Sequence, residues 1–342
     1  MSIREVADLA GVAISSVSRV LSGHPDVSPE MRERVLSAVR ECGYEPNQLA
    51  QSLRRGTSMS VGFIVGDVSN QLMATIALAA ETRLAEKGYT LLLANSRGLP
   101  ARDMANLQMF GQRKVDGLLL SLTSETERRV AHLLKGMGKP AVLLDRDGGP
   151  RDASRVLFDH ASGFRAATEY LVGLGHRRIA LIAGSPDLRP ARERVGAVMQ
   201  VMTHAGLPKP LLVTGSLSRA QGNAAMSGLC EKSHPPTAVL CGSNQLLPGV
   251  LEAIRQRGLR IPADLSLITT DNVELAEFHE PRLSSINRDA AAFGWAAADS
   301  LLRRMAGGSS DTVICATSFS AAASCGAPKT ARQLGAGSRI LG

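Results

Sequence analysis

The chain has 342 residues, 44% of them hydrophobic and 20% charged, with a formal net charge of +8. This composition describes a folded globular protein with room for two or three domains, and it excludes a disordered or membrane-spanning chain. Arg4, Glu5 and Asp8 open the sequence with no apolar run behind them, so neither a secretory signal nor a bilayer span is expected, and the expected location is the cytoplasm.

The positive excess does not lie at the amino terminus. Through Arg55, Arg4, Arg19, Arg32, Arg34, Arg40, Arg54 and Arg55 are balanced by Glu5, Asp8, Asp26, Glu30, Glu33, Glu41 and Glu45. Nucleic-acid binding by this segment would therefore rest on local placement of arginines, not on bulk charge. Cys42, Cys230, Cys241, Cys315 and Cys325 are odd in number and scattered, without Cys-x-x-Cys spacing. Neither a disulfide framework nor a zinc site follows, and no metal or cofactor is expected.

Three compact helices are predicted first. Ser2 and Glu5 form a Ser-x-x-Glu capping box ahead of Ile3, Val6, Leu9 and Ala10, and Gly11 stops the run. In "ISSVSRVLS", Val17, Val20 and Leu21 share one helical face while Ser15, Ser18, Arg19 and Ser22 share the other, with Ile14 on the border. Ser28 and Pro29 begin a third helix whose Met31, Val35 and Val39 face inward until Gly43. Two helices joined by a tight glycine turn, the second with a polar outer face, match a helix-turn-helix whose second helix enters the DNA major groove.

The segment "EPNQLAQSLRRG" can start a helix at Pro46 and end one at Gly56, but is too short to be stable alone in water. From Ser60 the pattern changes to continuous apolar runs, "VGFIV", "YTLLLAN", "VDGLLLSL", "AVLLD", "RIALIAG", "TAVLCG" and "LSLITTD", separated by helical stretches such as 74–87 and 246–257. Runs of that kind suit strands buried on both faces, and predict a doubly wound α/β body of two lobes. In such sheets ligands collect beyond the carboxyl ends of the strands, where Asn70, Ser121, Asp145, Asp159, Ser243, Asn244 and Asp271 lie.

The run from Ile3 to Gly56, with "VGFIVGDVSN", "KVDGLLL", "GHRRIALIAG", "ARER", "IPADLSLITTDN" and "EPRLSSI", resembles the LacI/GalR family of bacterial transcription regulators over nearly the whole chain. The resemblance implies an all-α helix-turn-helix headpiece at residues 1–44 and a hinge helix at 45–57. It further implies a two-lobed, type I periplasmic-binding-protein-like body at 58–330 and a flexible tail at 331–342. On that footing the protein is a homodimeric repressor of a double-stranded DNA operator, answering to a small-molecule effector such as a sugar. Ile14 and Ser15 would reach base edges, with Ser16, Ser18 and Arg19 on bases or phosphates. Leu53 would wedge into the minor groove beside Asn47 and Ala50, with Arg54 and Arg55 on phosphates. Arg194 aligns with the family's effector-binding arginine.

Several positions depart from the family pattern. Ala13 stands where a serine is usual. Ser243 and Asn244 replace Asn-Asp, and Asn70-Gln71-Leu72-Met73 replaces Asn-Pro-Phe-Phe. Aromatic content of 3% argues against a stacking platform, leaving Met73 as an apolar wall for the ligand.

Other function classes fit less well. The glycine run nearest to a dinucleotide turn, "GLGHRR" from Gly173, precedes its strand and lacks the third glycine. His-Glu-x-x-His, P-loop and Gly-x-Ser-x-Gly patterns are absent, so the chain is not expected to be an enzyme. A solute-binding protein would account for the body but not the headpiece. A regulator that has lost effector control would account for both.

Overall fold

The computed structural model describes residues 2–21, 24–44, 56–125, 128–271 and 273–329. Residues 45–55 of the expected hinge helix and the expected tail, with Ser22, Asn47, Ala50, Leu53, Arg54 and Arg55, lie outside the described residues. Residues 1–59 form one compact unit and 60–342 a second.

In the first unit, α1 (Ile3–Ala10) begins at the predicted capping box: Ser2 Oγ accepts from Glu5 N at 3.4 Å, and Glu5 Oε2 accepts from Ser2 N at 2.7 Å. It ends at Gly11, where φ of 61° suits a residue without Cβ. α2 (Ile14–Leu21) follows, then α3 (Pro29–Cys42), capped by Ser28 Oγ accepting from Met31 N at 3.3 Å. Val6, Ala7, Ala10, Val17, Val20, Val27, Val35 and Ala38 form the core. Leu9, part of the apolar spacing that marked this helix, is 49% exposed: eight small side chains already fill the space between three short helices.

The second unit holds two six-stranded sheets. The first lobe contains β1 (Ser60–Val65), β2 (Thr90–Asn95), β3 (Gly117–Leu120), β4 (Ala141–Leu144), β5 (Ser154–Phe158) and β11 (Thr312–Cys315), in the order β2-β1-β3-β4-β5-β11. The second contains β6 (Ile179–Ile182), β7 (Leu211–Val213), β8 (Ala238–Cys241), β9 (Ser266–Thr270), β10 (Ser284–Arg288) and β12 (Thr317–Ser320), in the matching order β7-β6-β8-β9-β10-β12. Among the described residues, only the β10 and β12 pair is antiparallel.

Helices cover both faces of each sheet, which is why the strands read as unbroken apolar runs. Along β1, Phe63 faces α4 (Gln71–Ala85) and α12 (Ala290–Met305), while Ile64 faces α5 (Pro100–Gln112) and α6 (Arg128–Met137). In the second lobe, Ile182 packs towards α9 (Arg219–Cys230) and α10 (Leu247–Gln256). Its neighbour Leu181 packs towards α7 (His160–Gly173) and α8 (Arg189–His204), and the short α11 (Glu274–Glu277) joins β9 to β10.

Two glycines let helices approach closely. A Cβ on Gly294 of α12 would lie 2.4 Å from the Ile76 carbonyl of α4, and one on Gly249 of α10 only 1.9 Å from the Arg219 carbonyl of α9.

The chain crosses between lobes three times: from β5 into α7, from β10 into α12, and from β11 into β12. At the first two crossings an aspartate caps the new helix, Asp159 on Ser162 N and Asp289 on Ala292 N. These crossings bring strand ends of both lobes together around one cleft.

Candidate functional site

On α2, Val17 and Val20 are buried in the headpiece core, while Ile14, Ser15 and Arg19 are exposed and Ser16 and Ser18 half-buried. The helix starts on the Ala13 carbonyl, which accepts from Ser16 N at 2.9 Å and Val17 N at 3.2 Å. An isoleucine 41% exposed at a helix N-terminus, beside two serines, offers a base edge one apolar surface and two hydroxyls.

The cleft of the second unit is built on a duplicated feature. Asp145 follows β4 and Asp271 follows β9, both left-handed at φ of 57° and 68°. Each donates its backbone N–H to the neighbouring fifth strand of its lobe, Asp145 to Val156 O and Asp271 to Ile286 O, both at 2.8 Å. Each carboxylate is then met by arginine. Asp145 Oδ1 accepts from Arg189 Nη1 at 2.8 Å across the lobes, and Asp271 takes Arg288 in two-point fashion at 2.8 and 2.6 Å. Planar two-point pairing is the strong form of this contact.

His160, the first residue of α7, is 1% exposed and links these groups. Its Nε2 lies 2.8 Å from Asp145 Oδ2 and its Nδ1 lies 3.5 Å from Arg194 Nη2. Both distances are satisfied when Nε2 carries the proton and donates to the carboxylate, leaving the Nδ1 lone pair for the guanidinium. Burial pulls the imidazole down to about 4 against the pull of Asp145, so it is neutral at pH 7. For Asp145, burial alone would push the carboxyl up; the His160 contact and the nearby Arg146 and Arg288 charges hold it well below the usual range.

Arg194, 4% exposed, donates from Nη1 to the Gly242 carbonyl at 2.7 Å and sits over the Phe164 ring at 5.7 Å. Asn70 caps α4 by accepting from Leu72 N at 3.1 Å. It also accepts from Asn244 Nδ2 at 3.0 Å, while Gln245 Nε2 donates to Asp67 Oδ2 at 2.9 Å. On another side Glu125 Oε2 accepts from Arg192 Nη2 at 2.8 Å and from Arg189 N at 3.1 Å. The lobes are thus joined by polar contacts on both flanks of the cleft.

Asp145, Arg194, Asp271, Asn70 and Asn244 therefore converge. Asp159 spends its carboxylate on Ser162, Oδ1 on the backbone N–H and Oδ2 on the hydroxyl. Ser243 is buried and accepts from Gln245 N at 3.2 Å, ordering the turn into α10. Ser121 is buried at the end of β3, its N–H donated to Ile64 O at 2.9 Å. Met73 packs against the first lobe's core. Phe158, buried in the first lobe's core, stacks on Phe293 at 4.1 Å, with the Arg288 guanidinium 5.2 Å from its ring centroid.

His160, Arg189 and Arg288 escaped the sequence reading. The one available signal was internal duplication, since "FDH" at 158–160 and "RDA" at 288–290 occupy equivalent crossings. A cavity of about 470 Å³, a size that holds one small ligand, is lined by Gln71, Thr75, Asn244, Asp271, Asn287 and Arg288 among others. Among the described residues no cluster of three or more His, Cys, Asp or Glu side chains is placed to hold a metal, and no helix is long and apolar enough to cross a membrane.

Comparison with known proteins accords with this architecture. A model of the lacI family of bacterial regulatory proteins matches residues 2–47, and a periplasmic binding protein-like domain matches residues 168–314. The HTH-type transcriptional repressor PurR of Glaesserella parasuis serovar 5 is 33% identical over 308 residues, covering 89% of this chain and 90% of the relative. Its counterpart in Klebsiella pneumoniae is 32% identical over 307 residues with the same coverage, 89% and 90%.

Among solved structures, a lac repressor dimer bound to operator and the anti-inducer ONPF gives a TM-score of 0.83 at 26% identity, over 96% of this chain and 99% of that one. The complex of the transcriptional regulator CelR with cellobiose gives 0.73 at 30% identity, over 95% and 99%. Headpiece, paired sheets and relatives matched over most of both sequences agree: this chain belongs to the lacI family of bacterial regulatory proteins.

Proposed function

We propose that the protein is a transcriptional repressor that binds a pseudo-palindromic double-stranded DNA operator as a homodimer, with affinity set by a small hydroxylated metabolite held between its lobes. The observation that carries this reading is α2, which buries Val17 and Val20 in its own core while presenting Ile14, Ser15 and Arg19 outward. That division of faces suits a helix whose N-terminal end reads base edges and whose flank meets phosphates. Ser16 and Ser18 extend the same edge.

Residues 45–57 act in this reading as a hinge that orders on DNA, with Leu53 wedged into a base step, Asn47 and Ala50 beside it, and Arg54 on a phosphate. Residues 58–330 form the metabolite-binding and dimerising body, and 331–342 a tail without a role in either. The polar contacts that span the cleft supply the coupling: a ligand that rearranges them moves one lobe against the other and biases the hinge. Couplings of this kind amount to about 1–3 kcal/mol. The body binds its metabolite without transforming it, and the protein works in the cytoplasm, where the operator is.

The test is retardation of operator-bearing duplexes in a gel, with and without metabolites. Retardation of a specific fragment, changed by one class of small molecule, supports the reading; no retardation at low ionic strength removes it. A second reading, a repressor without effector control, is favoured by the mutual saturation of Asp145 with Arg189 and of Asp271 with Arg288. It predicts an operator affinity that no metabolite alters.

A further inference from the structure

We propose that the end of the second lobe remote from the cleft is a binding surface for the phosphate backbone of duplex DNA, so that a protein whose headpieces occupy one duplex holds a second. The surface lies outside both the headpiece and the cleft, and it accounts for positive charge that neither uses.

The chain is balanced in charge through Arg55, yet as a whole it carries +8. Half of that excess sits in four loops of the second lobe. Residues 174–178, 205–210, 231–237 and 257–265 lead into β6, β7, β8 and β9, and together hold six cations against two acids. Arg177 and Arg178 stand before β6, Lys209 before β7, Lys232 before β8, and Arg257 and Arg260 before β9.

These strands are parallel neighbours in the order β7-β6-β8-β9, and their starts are level: Leu211 lies beside Ala180, Ala238 beside Ile179, and Ser266 beside Ala238. Neighbouring strands are about 4.8 Å apart, so the four loops share one face about 15 Å wide. The cleft is at the opposite, carboxyl ends.

Both acids are engaged within the face. Glu231 pairs with Arg257 at 2.6 Å, and Asp264 takes Arg260 at 3.1 Å and also Lys329. Arg177, Arg178, Lys209 and Lys232 are exposed and meet no carboxylate among the described residues. Arg255, exposed in the last turn of α10, adds a fifth such cation. A cation that ends a helix complements the helix dipole, which suffices for Arg255, but that effect fades beyond the last turn. Arg177, Arg178 and Lys209 lie four or five residues past the helices before them.

The cations are also held in place. Arg178 Nε donates to the Pro235 carbonyl at 3.0 Å, joining two of the loops, and Lys209 stands between Pro208 and Pro210. Fixed backbone loses little freedom on binding. Such an array suits a stiff polyanion, and duplex DNA presents one negative charge per about 1.7 Å of its axis. The four loops contain no Phe, Tyr or Trp on which the bases of a single strand would stack. Leu207, Leu259 and Ile261 pack on the lobe's cores and leave no apolar anchor for a lipid surface.

The experiment is capture of a second duplex. A short duplex fixed to beads is saturated with the full-length protein, washed, and offered a labelled second duplex over a range of sodium chloride concentrations. Capture is expected at low ionic strength, its log affinity falling linearly with log salt. The combined variant Arg177→Gln, Lys209→Gln, Lys232→Gln and Arg255→Gln is expected to weaken capture by about tenfold or more and to make that slope shallower by about 3–4. Its melting temperature and its retardation of a specific fragment stay as in the native chain, because the four side chains are exposed and lie outside the headpiece.

Three outcomes overturn the proposal. The bead-bound protein holds no second duplex; or the combined variant captures as well as the native chain, which places the second duplex on the headpieces; or vesicles of phosphatidylglycerol are held while duplex is not, which assigns the face to a membrane. Should the combined variant not fold, undiminished capture by Lys209→Glu with Lys232→Glu overturns the proposal in its place. The operator reading stands or falls separately: retardation of a specific fragment without capture removes only the second surface, and capture without any specific retardation removes only the operator reading.

Discussion

Asp145, at the end of β4 in the first lobe, and Arg189, the first residue of α8 in the second, meet at 2.8 Å with side chains only 11% and 8% exposed. Arg189 also donates from Nη2 to the Phe158 carbonyl at 3.0 Å, so one guanidinium ties a strand end, an interlobe crossing and a helix start. Removing one partner of a buried pair leaves the other charge uncompensated, at a cost of about 3–5 kcal/mol. Asp145→Asn is therefore expected to lower unfolding stability by that order in urea titration. A loss below about 1 kcal/mol, the size of an exposed pair, would show that the contact does not join the lobes.

His160 makes stability depend on pH. The unfolded imidazole takes up a proton near its ordinary value of 6.5, whereas the folded one resists until about 4. Acidification thus favours the unfolded chain, and stability is full above about pH 7 and falls by about 2 kcal/mol on going to pH 5. Asp145, whose folded carboxyl is depressed, adds its own loss only as pH drops below its ordinary 3.8. Urea midpoints at pH 7.5 and 5 should separate for the native chain and draw together in His160→Gln. An equal pH dependence in that variant would assign the effect to other groups.

Helix spacing in the first lobe depends on Gly294. Gly294→Ala would place a methyl 2.4 Å from the Ile76 carbonyl and 2.8 Å from Ala79 Cβ, and is expected to cost about 1–3 kcal/mol as α4 and α12 are forced apart. Gly196 in α8 is the internal control, since a Cβ there meets nothing within 4 Å. Gly196→Ala should stabilise by up to about 1 kcal/mol through helix propensity. Equal melting temperatures for the two variants would contradict this packing account.

The headpiece separates folding from recognition. Ile14 is 41% exposed, so Ile14→Ala should change unfolding stability by less than about 0.5 kcal/mol. Specific DNA affinity should fall by about 1 kcal/mol or more in fluorescence anisotropy, with nonspecific affinity spared. Leu53→Ala should likewise weaken specific binding more than nonspecific binding, because a wedge acts through deformation of its site. Equal losses on both DNAs would remove either residue from its proposed role.

Local chemistry was legible wherever one short segment decided it. The Ser2 and Glu5 box, the Ser28 cap, the Gly11 and Gly43 stops and the inward Val17 and Val20 are all in place. Seven apolar runs became strands because helices cover both sheet faces. The strands without such runs were missed. β10 is "SSINR", whose Ser284 and Ser285 are buried yet satisfied by partners such as Ser324 and Asn287, so no apolar signal marks it. β7 has three residues, and β11 and β12 alternate burial at sheet edges.

The same distinction governs the cleft. Asp145 and Asp271 announce themselves as carboxylates ending apolar strands, whereas His160, Arg189 and Arg288 matter through partners 15, 44 and 17 residues away. The first two contacts exist only once the chain has crossed between lobes, and the third only once β10 has paired with β9. Asp159, by contrast, looks like a ligand group in sequence and spends its carboxylate on its own helix.

The central claim, that α2 reads DNA sequence on behalf of a symmetric dimer, is tested most directly by selecting bound duplexes from a random library with the full-length protein and sequencing them. The account predicts enrichment of one pseudo-palindromic site whose half-sites lose definition in Ile14→Ala. Recovery of DNA without any shared sequence would contradict it.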